Sequence, residues 1–435
     1  MRRESYINSE VARFHGLIDV GQGKMCLVFL FLILAPFLRA QERVRSSVGQ
    51  QPIQTFQRSP EAFFYLGPFQ EIVTGSVGVE YTDNVDLTQT NKISDLKFFE
   101  ALALNTTWVI SHLNQLEFTF GGRVNENFYG DGKNQVNFEI APDSKLEFKF
   151  SISDVQVRLY DNFSYTQNPT NDPVATNTAN LNSLTNTIGA VVDTDLNVAV
   201  LSLAGDFTYN NQSGTTSGGQ TNSSTSGTRE TFRAGPALTF RLTPSILYGV
   251  DITATRSMGE NAANVNSLNA GPFMKGKLGR NLEFDLSAGT TLLDTKPSVA
   301  PTYYFSIAAR YRIDPHWQLV FSGSHELIFT SGTDLTKQNL FRLGTELDLT
   351  RVISFTLSPF INFGTVETSS AGSGTPTGPY KQFGIEAGLA WKPRKRWTTA
   401  LTYDYIRRES SSTTGGTSSQ NYIQNTVALS LSYAF

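Results

Sequence analysis

Cysteine is almost missing from this chain: of 435 residues only Cys26 carries a thiol. It falls in a segment expected to be removed, so the mature chain has no thiol. That excludes a disulfide framework, cysteine catalysis and cysteine metal ligation. Histidine is scarce as well, with four in the chain. His112 and His316 sit in turns, where solvent contact is expected. His325 and Glu326 are neighbours on an extended stretch and point to opposite faces, so they cannot act together. HExxH, P-loop and GxSxG motifs are all lacking. No catalytic residue, cofactor site or metal site is therefore expected. The net charge is −3, without a basic patch or a long acidic run, which argues against a nucleic-acid partner. No apolar run reaches the roughly 20 residues a membrane helix needs.

The longest apolar run lies in residues 25–40, MCLVFLFLILAPFLRA. It is too short for a stable helical anchor. Lys24 precedes it and the small Ala40 ends it, the layout of a secretory signal cleaved after Ala40. Residues 1–40 are read as a signal peptide, with Met25 as the alternative initiator to a long charged leader. Cys26 precedes the apolar core, which is the wrong side for lipidation. Residues 41–69 lack periodicity and are expected to form a periplasmic N-terminal extension. Its AFFYLGPF stretch (62–69) is either a lead-in to the periodic region that starts near residue 70 or a plug.

What the chain has in quantity is aromatic and small polar residues: 31 Phe, 16 Tyr and 35 Gly. From 70 to 435 they fall into one repeated unit. An extended stretch alternates apolar and polar residues, a short turn comes next, then a second such stretch and a longer polar loop. Tyr303, Phe305, Ile307, Ala309 and Tyr311 alternate with Tyr304, Ser306, Ala308, Arg310 and Arg312. Strands are predicted at 70–83, 96–110, 114–128, 134–152, 155–167, 183–193, 197–210, 228–242, 245–257, 265–278, 281–294, 300–313, 316–329, 337–350, 352–367, 379–392, 396–409 and 420–435. The stretch 134–152 is interrupted by Ala141-Pro142-Asp143-Ser144. The prediction is an all-β, antiparallel up-and-down transmembrane barrel of about 18 strands, with about 16 as the alternative. Short turns such as Gly279-Arg280 and Asp314-Pro315 would face the periplasm. The loops at 168–182 and 210–227 are long enough to fold inward.

Three features favour a membrane barrel over a soluble β-protein. The strands exceed the usual soluble length of about 5–6 residues. The four tryptophans, Trp108, Trp317, Trp391 and Trp397, all flank short turns, as a periplasmic aromatic girdle would. The chain ends in NTVALSLSYAF, where Leu431, Tyr433 and Phe435 share one face. That ending resembles the signal outer-membrane proteins present to the barrel-assembly machinery, and an amphipathic strand can add to a sheet edge. Outer-membrane lipid and lipopolysaccharide are the other expected partners, in the bacterial outer membrane.

The segment GSVGVEYTDNV (75–85) resembles the opening strand of β-barrel porins found beside exopolysaccharide genes. There a Tyr-x-Asp-Asn strand end leads into the first outer loop, and Tyr81, Asp83 and Asn84 hold that place here. The resemblance implies an outer-membrane pore linked to polysaccharide export, and it carries no catalytic residue.

The alternation assigns inward charges. In the first half these are Glu117, Arg123, Arg158, Asp206, Arg233, Arg241 and Asp251. Lys275, Lys277, Glu283, Asp285, Arg310 and Arg312 come next. Arg342, Glu346, Asp348, Glu386, Asp404 and Arg408 complete the set. They either solvate the wall and pair across strands, or line a channel and tune passage. With both signs present, no sharp ion selectivity is expected. Inward Tyr160, Phe273, Tyr304 and Phe360 are candidate sugar-stacking rings. The functions left are a pore for small polar solutes or polysaccharide, and a plugged barrel that binds partners through its surface loops. An outer-membrane enzyme is the third.

Overall fold

The computed structural model describes residues 64–66, 69–167, 180–215, 221–259, 262–294, 299–329, 335–367, 378–410 and 421–435. The export segment 1–40, most of the 41–69 extension and the loop 168–179 lie outside the described residues. Alternating sequence yields antiparallel strands throughout. In chain order they are β1 (Phe64–Leu66), β2 (Phe69–Thr82), β3 (Asp95–Ser111), β4 (Asn114–Tyr129), β5 (Asn134–Ile140), β6 (Lys145–Ile152) and β7 (Val155–Gln167). Then come β8 (Asn180–Asp195), β9 (Ala199–Thr215), β10 (Thr221–Thr243), β11 (Ile246–Gly259), β12 (Ala262–Leu278), β13 (Leu282–Asp294) and β14 (Val299–Asp314). The last six are β15 (Trp317–Phe329), β16 (Leu335–Asp348), β17 (Ile353–Glu367), β18 (Gly378–Arg394), β19 (Trp397–Ser410) and β20 (Tyr422–Ala434).

Apart from β5 and β6, each strand pairs with its sequence neighbours, and β20 returns to pair with β2 from Thr74↔Ala434 to Thr82↔Thr426. The sheet is thereby closed, and no edge is left to present unpaired backbone groups to lipid. Among the described residues, twenty segments make eighteen staves. β1 pairs only with the start of β2, Leu66 opposite Phe69, so the lead-in folds back on the first stave. β5 and β6 share a single stave against β4. Pro142 has no N–H to give the ladder, so the chain breaks there. The Ala141 amide donates to the Gly121 carbonyl and the Gly121 amide to Ser144 Oγ, at 2.8 and 3.0 Å. The register shifts by two residues, from Ile140 opposite Gly122 to Lys145 opposite Thr119. An even shift keeps the same residues facing inward on both halves.

The outer surface is oily. Val77, Phe98, Leu102, Val124, Ile188, Leu203, Val250, Ile385 and Leu429 are 41–53 % exposed. The opposite face of the same strands holds buried polar side chains such as Asn125, Asn127, Ser202, Thr239, Ser257 and Ser358. This inversion of the soluble pattern suits a protein bathed in lipid. The turns joining β3–β4, β8–β9, β10–β11, β14–β15 and β18–β19 gather at one rim. Trp317, Trp391 and Trp397 stand there, 39–50 % exposed on the outer face, and Trp108 packs on Phe69 with ring centroids 5.2 Å apart. At the seam, Leu431 and Tyr433 lie on the outer face of β20, and Tyr433 packs between Trp397 and Phe435.

The sequence reading misplaced one loop. The polar stretch 210–227 is largely strand. β9 runs on to Thr215 and β10 begins at Thr221, paired Thr221↔Thr215 and Asn222↔Gly214 before a bulge near Gly227. Small polar residues that read as loop can extend a hairpin above the membrane, where no oily face is required and alternation is lost.

Candidate functional site: the lumen and its outer mouth

The inner wall from β2 to β7 is a chain of ion pairs crossing strand to strand. Glu80 on β2 meets Lys97 on β3 at 2.7 Å and Arg123 on β4 at 3.5 Å, and Arg123 reaches Glu139 on β5 at 3.9 Å. Lower on the wall, Glu117 contacts Lys145 and Lys149 at 3.5 and 3.1 Å. Glu147 sits between Lys145, Lys149 and Arg158 at 2.8, 3.6 and 3.8 Å. Sequence reading named Glu117, Arg123 and Arg158 but missed Glu139, Lys145, Glu147 and Lys149. The break at Pro142 hid their facing, because alternation cannot be carried across it. Their odd numbers, continuous with Glu117 and Arg123 through an even register shift, were the usable signal.

The wall is layered in the same way at three places. Phe99 lies directly opposite Gly78, Tyr160 opposite Gly189 and Phe360 opposite Gly384. The ring occupies the space a glycine leaves, so close that a Cβ on Gly384 would come within 2.9 Å of the Tyr405 carbonyl as well as striking the ring. An arginine then covers the ring: Arg123 over Phe99 at 3.9 Å, Arg158 over Tyr160 at 5.7 Å and Arg342 over Phe360 at 4.8 Å. Each guanidinium is held between an aromatic face and a carboxylate, with Arg342 bonded to Glu386 at 2.8 Å. Phe273 and Tyr304 lie opposite Gly249 and Gly289 in the same manner. Tyr304 is only 2 % exposed. It offers no open ring face, so the reading of Tyr304 as a sugar-stacking platform is corrected: the ring fills wall space beside a glycine. Gly384→Ala should lower unfolding stability by about 1–3 kcal/mol, measured by urea titration in vesicles. An unchanged midpoint would mean that the Phe360 ring does not need that space.

The remaining inward charges are unevenly spread. Arg233 on β10 bonds Asp206 on β9 at 2.9 Å. Lys277 on β12 bonds Glu283 on β13 at 2.6 Å, and Arg310 on β14 approaches Glu283 at 3.9 Å. Lys275 stands directly opposite Asp285. Asp251 projects inward from β11, and Arg241 and Arg312 lie near the short-turn rim. Arginine and lysine thus outnumber carboxylates from β10 to β14. Beyond β15, on β16–β19, the balance reverses. Glu346 on β16 accepts from Gln318, Asp348 is near the same rim, and Glu386 faces Asp404 directly across β18 and β19. Arg408, 2 % exposed, is packed over Tyr380 with 5.2 Å to the ring centroid. His325 faces outward, stacked on Tyr303 at 4.3 Å and bonded to Asn339 at 2.9 Å. Glu326 faces inward, where Gln338 donates to it at 3.2 Å.

The outer mouth is shaped by the β2–β3 loop, 83–94. Asp83 accepts from the Asn425 amide and side chain, both at 2.7 Å. Asn84 is fully buried. Its Nδ2 donates to the Thr88 and Ile423 carbonyls at 2.8 and 2.9 Å, and its Oδ1 accepts from the Thr88 amide at 3.1 Å. Gln424 donates to the Asn84 carbonyl at 2.9 Å. The Asp-Asn pair therefore ties this loop to the last strand across the seam. Beyond it Leu87 adopts φ 52° and packs, 2 % exposed, with Leu181 on β8 and Tyr422 on β20, next to Ile406 on β19. All three side chains point inward, and β8 is six staves from β20, so the loop leans across the mouth. Val85 adds a second cluster with Tyr129 and Ile93. Sequence reading named 168–182 and 210–227 as long enough to fold inward and overlooked this shorter loop. Its apolar Val85, Leu87 and Ile93, among polar neighbours, were the available clue. Among the described residues no group of three His, Cys, Asp or Glu side chains is placed to hold a metal ion.

No protein-family model and no curated protein matches the sequence. Among solved structures, the chain is similar to OccK7 (OpdD) of Pseudomonas aeruginosa at 10 % identity, covering 85 % of this chain and 99 % of that one, with a TM-score of 0.47. It is similar to OccAB3 of Acinetobacter baumannii at 11 % identity, covering 84 % and 99 %, with a TM-score of 0.46. The siderophore receptor PirA of Pseudomonas aeruginosa gives 9 %, 83 %, 80 % and 0.40 for the same quantities. The fold rests on the strand pairing itself: among the described residues the chain is a closed, antiparallel, eighteen-stranded barrel.

Proposed function

We propose that the barrel is a porin-like channel for small polar solutes. The observation that carries this reading is the inner wall, polar throughout and ion-paired on β2–β7, β9–β10, β12–β14 and between β16 and β18, within a closed ring of eighteen staves. Barrels of about 16–18 strands leave room for an aqueous channel. A wall rich in Arg and Lys on β10–β14 beside one rich in Asp and Glu on β16–β19 favours solutes with separated charges over ions of either sign. Purified protein in a planar bilayer should give stepwise conductance, with a reversal potential near zero across a potassium chloride gradient. A closed trace without steps would sink the channel reading.

A second reading has one observation in its favour. The 83–94 loop leans over the mouth, which suits a plugged barrel that meets partners through its surface. The same bilayer experiment separates the two. The link to exopolysaccharide rests on the Tyr81-Asp83-Asn84 resemblance alone, and loss of exported polymer in a deletion strain is its test. Leu431, Tyr433 and Phe435, at the seam, are the residues we assign to recognition by the assembly machinery.

A further inference from the structure

The outer face carries a groove that the channel reading does not use. It opens beside the long-loop rim over β15–β20 and encloses about 990 Å³. Four of its basic groups come from separate places, Lys337 on β16, Lys381 on β18, Arg407 on β19 and Lys92 in the β2–β3 loop, and Arg408 on β19 also lines it. The carboxylate among them is Glu409, bonded to Arg407 at 2.5 Å. Lys92 Nζ donates to the Ile423 carbonyl at 3.2 Å, which holds the loop amine over the groove. Phe363 and Ile423, each 37 % exposed, give it an apolar floor.

Its height on the barrel is fixed by the strands. Lys381 is ten positions from Trp391, and Arg407 ten from Trp397. Ten residues at about 3.3 Å each, tilted by about 40°, rise roughly 25 Å, the thickness of the apolar band. The tryptophans mark the periplasmic interface, so the groove lies at the headgroup level of the outer leaflet. The wall just past the seam differs at a similar height. Glu126, ten positions above Leu116, which faces Trp108, is an exposed carboxylate there, and Glu100 is another two positions lower. The basic cluster is thus a local feature and not a ring around the rim.

We propose that this groove seats a phosphorylated glycolipid of the outer leaflet. Its acidic phosphate would lie among Lys337, Lys381 and Arg407, and its first acyl carbons against Phe363 and Ile423. Lysines on different strands converging over an apolar floor match an anionic headgroup joined to a hydrocarbon chain, and match a free anion less well. The inference needs the barrel to sit in a membrane but not to conduct. Bilayer conductance therefore tests the channel and leaves this site untouched.

Native mass spectrometry of the detergent-solubilised protein tests it. The probes are a bis-phosphorylated, acylated glucosamine disaccharide and the same lipid without phosphates. Wild type should retain the phosphorylated lipid, and K337Q/K381Q should hold it about tenfold more weakly. K337R/K381R should restore retention. The phosphate-free lipid should bind wild type only at the weak level, and millimolar inorganic phosphate should not displace the phosphorylated one. Equal retention by K337Q/K381Q, equal binding of the phosphate-free lipid, or displacement by inorganic phosphate would each overturn the proposal. Should K337Q/K381Q fail to fold, seen as loss of heat-modifiable gel migration, the two lipids compared on wild type decide the matter.

Discussion

Ala309→Arg should destabilise the barrel by about 2–4 kcal/mol, whereas the same change one residue earlier, Ala308→Arg, should cost far less. The two alanines are neighbours on β14, so strand propensity, side-chain loss and position along the chain are nearly matched. Their surroundings are not. Ala309 stands between Phe284 and Phe321 on the adjoining strands, in the oily band and near mid-height between the rims. An arginine there must reach for an interface or drag water into hydrocarbon. Ala308 stands between Asp285 and Ser322 on the inner face. An arginine there meets water and a carboxylate directly opposite, which is an addition to an existing wall of charge. Urea titration of each variant refolded into phospholipid vesicles measures the difference. Ser287 would be a poorer comparator: it also faces inward, but at 5 % exposure an arginine there would be overpacked, and sterics would be confused with solvation. Equal penalties for Ala308→Arg and Ala309→Arg would mean that the assignment of inside and outside is wrong, and with it the whole reading of the lumen.

That assignment was legible in the sequence because lipid imposes a strict rule. With one side of every strand in hydrocarbon and the other in water, alternation persists over the whole stave, and a run such as Tyr303 to Arg312 leaves a single facing available. The tryptophans could be read for a related reason, since the interfacial zone rewards an indole at one height, beside the short turns. Legibility failed where that rule is absent. Above the membrane, the far ends of β9 and β10 need no oily face, so their strand pairing left no periodic trace. At Pro142 the missing N–H broke the pattern and concealed a whole layer of ion pairs around Glu147. The inward rings at Tyr160, Phe273, Tyr304 and Phe360 were recognisable as inward. Their packing over a glycine on the next strand depends on register, which pairs residues far apart in the chain and cannot be taken from one strand alone. The groove around Lys337, Lys381 and Arg407 was hidden for the same reason: each basic residue is a lone exception on its own strand, and only the register of β16 to β19 sets them side by side.

Asn84→Ala should release the 83–94 loop from the mouth and raise single-channel conductance. Asn84 is fully buried and its side chain satisfies the Thr88 amide and the Thr88 and Ile423 carbonyls. Truncation leaves these groups without that partner, a loss of about 1–3 kcal/mol. Leu87 holds a left-handed backbone, φ 52°, a conformation that costs a residue with a branched side chain of this size on the order of 1 kcal/mol and lasts only while its surroundings enforce it. Both penalties fall on one short segment whose anchorage is the contact of Leu87 with Leu181 and Tyr422. The barrel itself has little reason to respond, because the β2–β20 ladder still closes the seam below the loop. The expected signature is therefore a split: faster protease cleavage between Asp86 and Asn91 and larger current steps, with the urea midpoint of the barrel close to that of wild type. Leu87→Ser should give the same split through loss of packing while leaving the Asn84 hydrogen bonds in place. Faster cleavage with unchanged current would show that the loop lies across the mouth without narrowing the path of ions. Unchanged cleavage in both variants would show that Asn84 and Leu87 do not hold the loop at all.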